Sequence, residues 1–388
     1  MSRVRALVRA PGSARASGRP AVAQGSRSNG FVLLLSLTVA LDLIGLVMVL
    51  SASSVEALAR YGSSWVFFEK QLLWVVLGAV VMVLTMRVDY QRWRKWSLPL
   101  VAGSLALLFA VLVPHVGVSV SGSSRWLGFG SFRVQPSELV KLALVVYLAD
   151  VLSRRVERGA AVRDVLGGVL VVYVLAAALI FKQPDMGTAL VVSAIVLGLL
   201  FAAGMPRRTM AKLMGGAVVA AFVLGMAEPY RKARLLSFLH PWADRSSTGY
   251  QVVQSLVGLG SGGVAGVGLG ASRAKWGFLP NAHTDFIFSI VGEELGLVGA
   301  VLVVGLFAVF ALVGLRAAKK APDPFGAMLA VGISVWITAQ AVLNIGAVIG
   351  LLPVTGVPLP LVSFGGSSLT IVMGAIGILL NIARQERR

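Results

Sequence analysis

Phe31-Val-Leu-Leu-Leu-Ser-Leu-Thr-Val-Ala-Leu-Asp42-Leu-Ile-Gly-Leu-Val-Met-Val-Leu50 is a run of twenty residues carrying a single charge, Asp42. The hydrocarbon core of a bilayer takes about 20 residues of helix to cross, so this run predicts a membrane span. Nine further runs follow, and together they place ten spans at 31–52, 66–86, 97–116, 137–153, 165–181, 188–204, 211–227, 286–314, 326–352 and 366–383. The whole chain agrees with that pattern. Of its 388 residues 57% are hydrophobic and 13% charged, with a mean hydropathy of +0.85. Such a composition cannot cover a soluble surface with polar groups, so the expected fold is an all-α polytopic integral membrane protein. The chain has no cysteine, which removes thiol catalysis and thiolate metal sites.

Charge sets the orientation. Lys and Arg number 35 against 16 Asp and Glu. Of those cations, 23 fall in the N-terminal tail, in every second connection and at the C-terminus, among them Arg87, Arg92, Arg154, Arg207, Lys319 and Arg387. Short loops rich in Lys and Arg stay in the cytoplasm, so both termini are expected there. The basic balance is therefore a topology signal, and nucleic acid is not an expected partner. Residues 1–30 read as a disordered basic cytoplasmic tail, 31–383 as the membrane domain and 384–388 as the cytoplasmic C-terminus. The apolar run after the tail is too long for the core of a signal peptide and has no clear cleavage site.

The unusual polar content lies on the other side. The connection between spans seven and eight, about 228–285, is far longer than the rest, and long connections tend to carry function. It holds Arg231, Arg234, Lys275, His283 and Asp285. The three histidines, His115, His240 and His283, are all on this side, but their spacing fits no metal-ligand pattern. Gly258-Leu-Gly260-Ser-Gly262-Gly263 matches G-x-G-x-x-G without the strand and the following acid that a dinucleotide site needs. No P-loop is present either, so no nucleotide is expected. The glycines from 258 to 270 instead suit close backbone approach or re-entry at the membrane face.

Ionisable residues inside spans are costly and face a partner or a cavity. Glu138 and Lys141 share a helical face and suit an ion pair. Asp42, Asp150, Glu293 and Glu294 are expected in ion pairs or interfaces rather than in catalysis. Lys182 and Asp185 flank Pro184 in a short outer turn that either holds a ligand or holds itself together. Asp285 opens span eight, where a carboxylate serves as a helix cap or as a functional group.

Several stretches carry a resemblance. These are Ser123-Ser124-Arg125-Trp126, Gln135-Pro136-Ser137-Glu138-Leu-Val-Lys141, Gln183-Pro184-Asp185-Met-Gly187-Thr188 and Tyr250-Gln-Val-Val-Gln254-Ser255. His283-Thr-Asp285 with Gly292-Glu293-Glu294 follows, and then Leu359-Pro360-Leu-Val-Ser363-Phe-Gly365-Gly366-Ser367-Ser368. In this order, over about residues 31–383, the chain resembles the SEDS family (shape, elongation, division and sporulation), and Lys275-Trp276-Gly277 resembles its division branch. The resemblance implies a peptidoglycan glycosyltransferase that polymerises lipid II on the outer membrane face. It also implies a class B penicillin-binding protein as transpeptidase partner and other divisome membrane proteins beside it, with a home at the septum. The aspartate matching Asp285 is the family's catalytic residue. Thr355 stands where some division members have lysine, and Phe364 where many have tyrosine.

The chemistry suits those residues. A sugar hydroxyl attacking an anomeric carbon needs a base, which one carboxylate supplies. The leaving pyrophosphate is already a stable anion, so the second carboxylic acid of glycosidases is not required. Its growing charge calls for cations, with Arg125, Lys141, Lys182, Arg231, Arg234 and Lys275 as candidates and Mg²⁺ or Mn²⁺ as a plausible helper. Asp185, His283, Glu293, Ser363 and Ser367 complete the candidate substrate contacts. As neighbours of Asp285, spans eight and nine are the expected walls of a lipid groove. Two rivals remain: a lipid II flippase, which would put polar groups at the midplane in broken helices of paired repeats, and a non-catalytic scaffold.

Overall fold

A computed structural model describes residues 28–120, 123–129, 132–227, 232–233, 238–243 and 249–386. The expected tail up to residue 27, together with Arg231 and Arg234, lies outside the described residues. The helices bounded within them are α1 Asn29–Tyr61, α2 Val66–Arg87, α3 Ser97–Leu112, α4 Pro136–Glu157, α5 Leu166–Lys182, α6 Met186–Ala202, α7 Arg207–Met226, α8 Tyr250–Gly262, α9 Ile287–Lys320, α10 Pro324–Val348 and α11 Ser367–Arg384. Each predicted span falls on one of them. Eight, counting α3 and α5 with the 3₁₀ turns that lead into them, are long and apolar enough to cross a membrane. α6 is apolar but only 17 residues long, and α4 carries Glu138, Lys141 and Asp150 within its length. The chain is a multi-pass membrane protein.

α1 begins earlier and ends later than hydropathy suggests. Ser28 caps it, its Oγ accepting from Phe31 N at 3.1 Å, so the tail ends before residue 30. Gly62 closes the helix in the left-handed region at φ 74 and donates to the Leu58 carbonyl. The added turns carry Glu56 and Arg60 beyond the apolar run.

The helical bundle carries one small sheet, in the connection between α3 and α4. Strands β1 Gly117–Val120, β2 Ser123–Phe129 and β3 Phe132–Val134 form a small antiparallel sheet in that order. Pro114 and the left-handed His115 (φ 67) stop the helix short of residue 116. The alternating Gly-Val-Ser-Val that follows pairs as a strand rather than continuing as a span. The 228–285 connection likewise is not a plain loop, because it contains α8 and a 3₁₀ turn at Ala274–Trp276.

α10 and α11 form the hub, with 72% and 83% of their most apolar windows buried, against 11% for α7. Span nine is therefore largely core. α2 lies along α11 through small residues: Gly78 against Met373, and Gly377 against Thr85 and the Met82 carbonyl. Thr85 Oγ1 also donates to the Gly374 carbonyl at 2.9 Å. Close backbone approach of this kind replaces the hydrophobic drive that lipid removes.

The cation-rich connections gather at one end of the bundle. Ser28 Oγ donates to the Ala383 carbonyl, and Tyr90 hydrogen-bonds Asp323. Arg94 and Arg154 grip Asp150 at 2.9 and 2.7 Å. Asp150 is thus ion-paired, as expected. Asp42 is buried, and its Oδ1 has no hydrogen-bond partner among the described residues.

α9 is broken at Gly296, where φ 68 and ψ −165 leave the helical region. A broken helix frees backbone groups that lipid cannot satisfy. Here the glycine-rich segment after α8 satisfies them. Val267 and Gly268 donate to the Glu293 and Glu294 carbonyls at 3.0 and 3.1 Å, while Leu297 and Val298 donate to Gly263 and Val264 at 2.9 and 3.3 Å. The break is therefore filled by the chain's own backbone, not held open for cargo. Close approach is what the glycines allow: a Cβ on Gly266 (φ +82) would lie 2.2 Å from the Glu294 carbonyl oxygen. Gly266→Ala is expected to cost roughly 1–3 kcal/mol of stability, whereas Gly260→Ala meets open space and should be near neutral. Thermal denaturation in detergent, followed by size-exclusion chromatography, compares the two, and equal midpoints would contradict this account.

Candidate functional site

Asp285 sits at the other end of the bundle, in the turn that feeds α9. Asn281 (φ 59) starts the turn, and its carbonyl accepts from Thr284 N and Phe286 N at 3.1 and 3.3 Å. Three consecutive carbonyls, His283 to Asp285, are then held from outside. His283 O accepts from Phe364 N at 3.0 Å, Thr284 O from Ser363 Oγ at 2.6 Å, and Asp285 O from Asn344 Nδ2 at 2.7 Å. The last outer loop and α10 thereby fix the backbone that carries the carboxylate. The N-cap residue of α9 is Phe286, so Asp285 stands one position before the cap. Its half-buried carboxylate faces Gly356 (φ 73), where a Cβ would lie 3.6 Å from Oδ2. Phe286, Asn344, Thr355 and Val357 line the small cavity beside it.

His283 supports this turn from behind. It is 8% exposed, with ring centroids 4.7 Å from Phe67 and 5.7 Å from Phe364. Its Nδ1 lies 3.4 Å from Glu56 Oε2, and Glu56 Oε1 is 3.2 Å from Arg60. Burial pushes the imidazole below the ordinary histidine range, Glu56 pulls it back in part and Arg60 adds to the depression. The ring is neutral at pH 7. As pH falls, the unfolded chain takes that proton more readily, so this contribution to stability is lost on the acid side.

Most other candidate substrate contacts have internal partners instead. Lys141 is fully buried, and its Nζ donates to Glu138 Oε1 and Gln340 Oε1, both at 2.8 Å. Glu293 accepts from Arg273 N at 2.9 Å, from Ser272 Oγ at 2.5 Å and from Ala274 N at 3.3 Å. Lys275 donates to the Gly270 carbonyl and lies 3.7 Å from Glu294. Glu293 and Lys275 pin the segment after α8 to α9. Ser363 serves the Asp285 turn, and Ser367 Oγ accepts from Gln135 N at 3.3 Å. Asp185 is the N-cap of α6, accepting from Thr188 N at 3.1 Å and Thr188 Oγ1 at 2.9 Å. Arg125 donates to the Gln183 and Pro184 carbonyls. Arg125 and the Asp185 cap thus hold this turn in place. Among the described candidate cations, Lys182 alone is exposed.

The comparisons with known proteins fit this frame. Residues 31–388 match the profile of the cell cycle proteins that groups FtsW, RodA and SpoVE. The chain belongs to the FtsW/RodA/SpoVE family. It is 41% identical to the probable peptidoglycan glycosyltransferase FtsW of Geobacter metallireducens, over 92% of this chain and 95% of that one. It is 43% identical to the stage V sporulation protein E of Bacillus subtilis, over 92% and 97%. Among solved structures it resembles a chain from a peptidoglycan synthase complex that coordinates polymerization and crosslinking, with TM-score 0.75, 30% identity and coverage of 91% and 97%. The rod shape determining protein RodA of Thermus thermophilus gives TM-score 0.68 and 28% identity, covering 92% and 97%.

Within the FtsW/RodA/SpoVE frame, three residues near Asp285 escape a reading by hydropathy. Asn344 and Gln71 sit inside apolar helices, and each donates to a carbonyl of the Asp285 surround, Gln71 reaching Ser363 O at 3.3 Å. Glu56 lies past the first apolar run, and its spacing of four from Arg60 was the available signal for a helix continuing outward.

Proposed function

We propose that this chain is a peptidoglycan glycosyltransferase that polymerises lipid II at the outer face of the cytoplasmic membrane, with Asp285 as general base. The observation that carries the proposal is a carboxylate on a turn held by three consecutive backbone clamps, at the end of the bundle away from the cation-rich connections. Asp285 takes the proton of a sugar hydroxyl, and the hydroxyl oxygen bonds to the anomeric carbon of a second lipid II. The bond from that carbon to pyrophosphate breaks, and undecaprenyl pyrophosphate leaves with the electron pair. A general base of this kind contributes about 10²–10⁴ in rate.

Lys182, exposed on the outer turn, is the candidate cation taken to meet the pyrophosphate. Lys182→Gln is expected to raise KM for lipid II several-fold at unchanged thermal stability, about tenfold per 1.4 kcal/mol of lost binding. Asp185→Ala instead removes a cap and should cost about 1 kcal/mol of stability. Steady-state kinetics beside thermal denaturation separates the two, and an unchanged KM in Lys182→Gln would remove Lys182 from the site. Among the described residues no three His, Asp or Glu side chains gather as metal ligands. One carboxylate together with pyrophosphate oxygens and water suits Mg²⁺ or Mn²⁺, which would neutralise the leaving group's charge.

Three features support a septal enzyme working with a class B penicillin-binding protein: the family membership, the FtsW relatives and the likeness to a synthase complex. The deciding experiment is polymerisation of purified, labelled lipid II by the protein with its cognate transpeptidase. Glycan strands are the expected product. No glycan, with an active partner control, would leave a lipid II flippase or a non-catalytic scaffold.

A further inference from the structure

Asn344 projects from α10, one turn beyond Gln340, and is 2% exposed. Its Nδ2 carries two hydrogens and both have acceptors: the Asp285 carbonyl at 2.7 Å and the Val357 carbonyl at 2.8 Å. Its Oδ1 is buried with no hydrogen-bond partner among the described residues. A buried acceptor left unused is unfavourable, so an apolar side chain would fill this place at lower cost if filling were the whole task. Turning the amide over would set its oxygen against two carbonyl oxygens, which fixes its orientation. What the side chain supplies is a pair of donors. The two acceptors belong to the peptide that carries the carboxylate and to the loop segment whose Gly356 faces that carboxylate. Gln340 repeats the pattern one turn below, donating to the neighbouring Pro358 carbonyl at 3.1 Å while its own oxygen accepts from Lys141 and Trp336.

We infer that Asn344 is a positioning residue for Asp285, tying the peptide of the base to the loop wall it faces. The inference rests on the assignment of Asp285 as base. Displacement of a catalytic group by about 1 Å can cost about 10²-fold in rate, and one amide holding both walls sets that distance directly.

Asn344→Leu keeps the branched shape and the number of heavy atoms and removes both donors. Its lipid II turnover is expected to fall about 10²-fold, with KM within about twofold of wild type, as for loss of an interaction used only in the transition state. Because the chain has no cysteine, Asp285→Cys provides a single thiol at the site. Its rate of modification by a charged, membrane-impermeant thiol reagent reports where this peptide sits. That rate is expected to change when Asn344→Leu is added. Wild-type turnover in Asn344→Leu would overturn the inference. So would an unchanged thiol rate beside reduced turnover, which would leave only a role in stability. If Asn344→Leu does not accumulate in membranes, Asn344→Ser, which keeps one donor, is judged by the same two criteria. Normal polymerisation by Asp285→Asn would defeat the base assignment separately, while the thiol comparison would still decide whether Asn344 holds this peptide.

Discussion

Asp285→Asn is expected to lower lipid II polymerisation by about 10²–10⁴-fold without unfolding the protein. The side chains are nearly equal in size, and all three clamps on this turn act on backbone carbonyls that the substitution leaves in place. The α9 cap position is Phe286, so loss of the charge removes no N-cap. Amide and carboxylate differ here in charge and in the ability to accept a proton. Polymerisation of labelled lipid II by the intact variant, with thermal denaturation as the folding control, reads the result. Equal glycan from wild type and variant would place the base elsewhere.

The second large effect is on stability. Lys141→Met is expected to cost roughly 3–5 kcal/mol by leaving a buried carboxylate unpaired. Glu138 would keep only the Ser368 hydroxyl, at 2.9 Å. Lys141 Nζ also lies 5.3 Å from the Trp336 ring centroid and shares Gln340 Oε1 with the indole N–H. The loss would therefore spread to Gln340 and the loop carbonyl it holds. Against a typical margin of about 5–15 kcal/mol, the variant should accumulate poorly in membranes. Glu138→Gln added to Lys141→Met removes the orphan charge and should recover much of the loss. Lys141→Arg should not substitute, since a planar fork does not fit a point-charge site. Wild-type thermal stability in Lys141→Met would show that the pair contributes nothing.

Much of the fold was legible because crossing a bilayer is a local property of about 20 consecutive residues. Every predicted span lies on a helix, and the basic connections meet at one end through Arg94, Asp150, Arg154, Tyr90 and Asp323. The misses were also physical. The sheet at 117–134 adjoins an apolar helix whose end hydropathy does not mark, because Pro114 and the left-handed His115 end it by backbone geometry. Glu56 and Arg60 lie past the apolar window on turns that only the cap at Gly62 closes.

The sequence by itself determined a multi-pass membrane protein, its basic side, the family motifs and Asp285 as the residue to examine. It also determined the glycines for close approach, since only a residue without Cβ fits against the Glu294 carbonyl. Which polar residues serve substrate and which serve the bundle was decided by tertiary structure alone. Asn344 meets Asp285 across 59 residues, Ser363 meets Thr284 across 79 and Ser368 meets Glu138 across 230. In lipid a polar side chain must find a partner wherever the bundle brings one. The same Lys, Glu or Ser is thus a ligand candidate in a string of letters and a structural tie once its distant partner is in place.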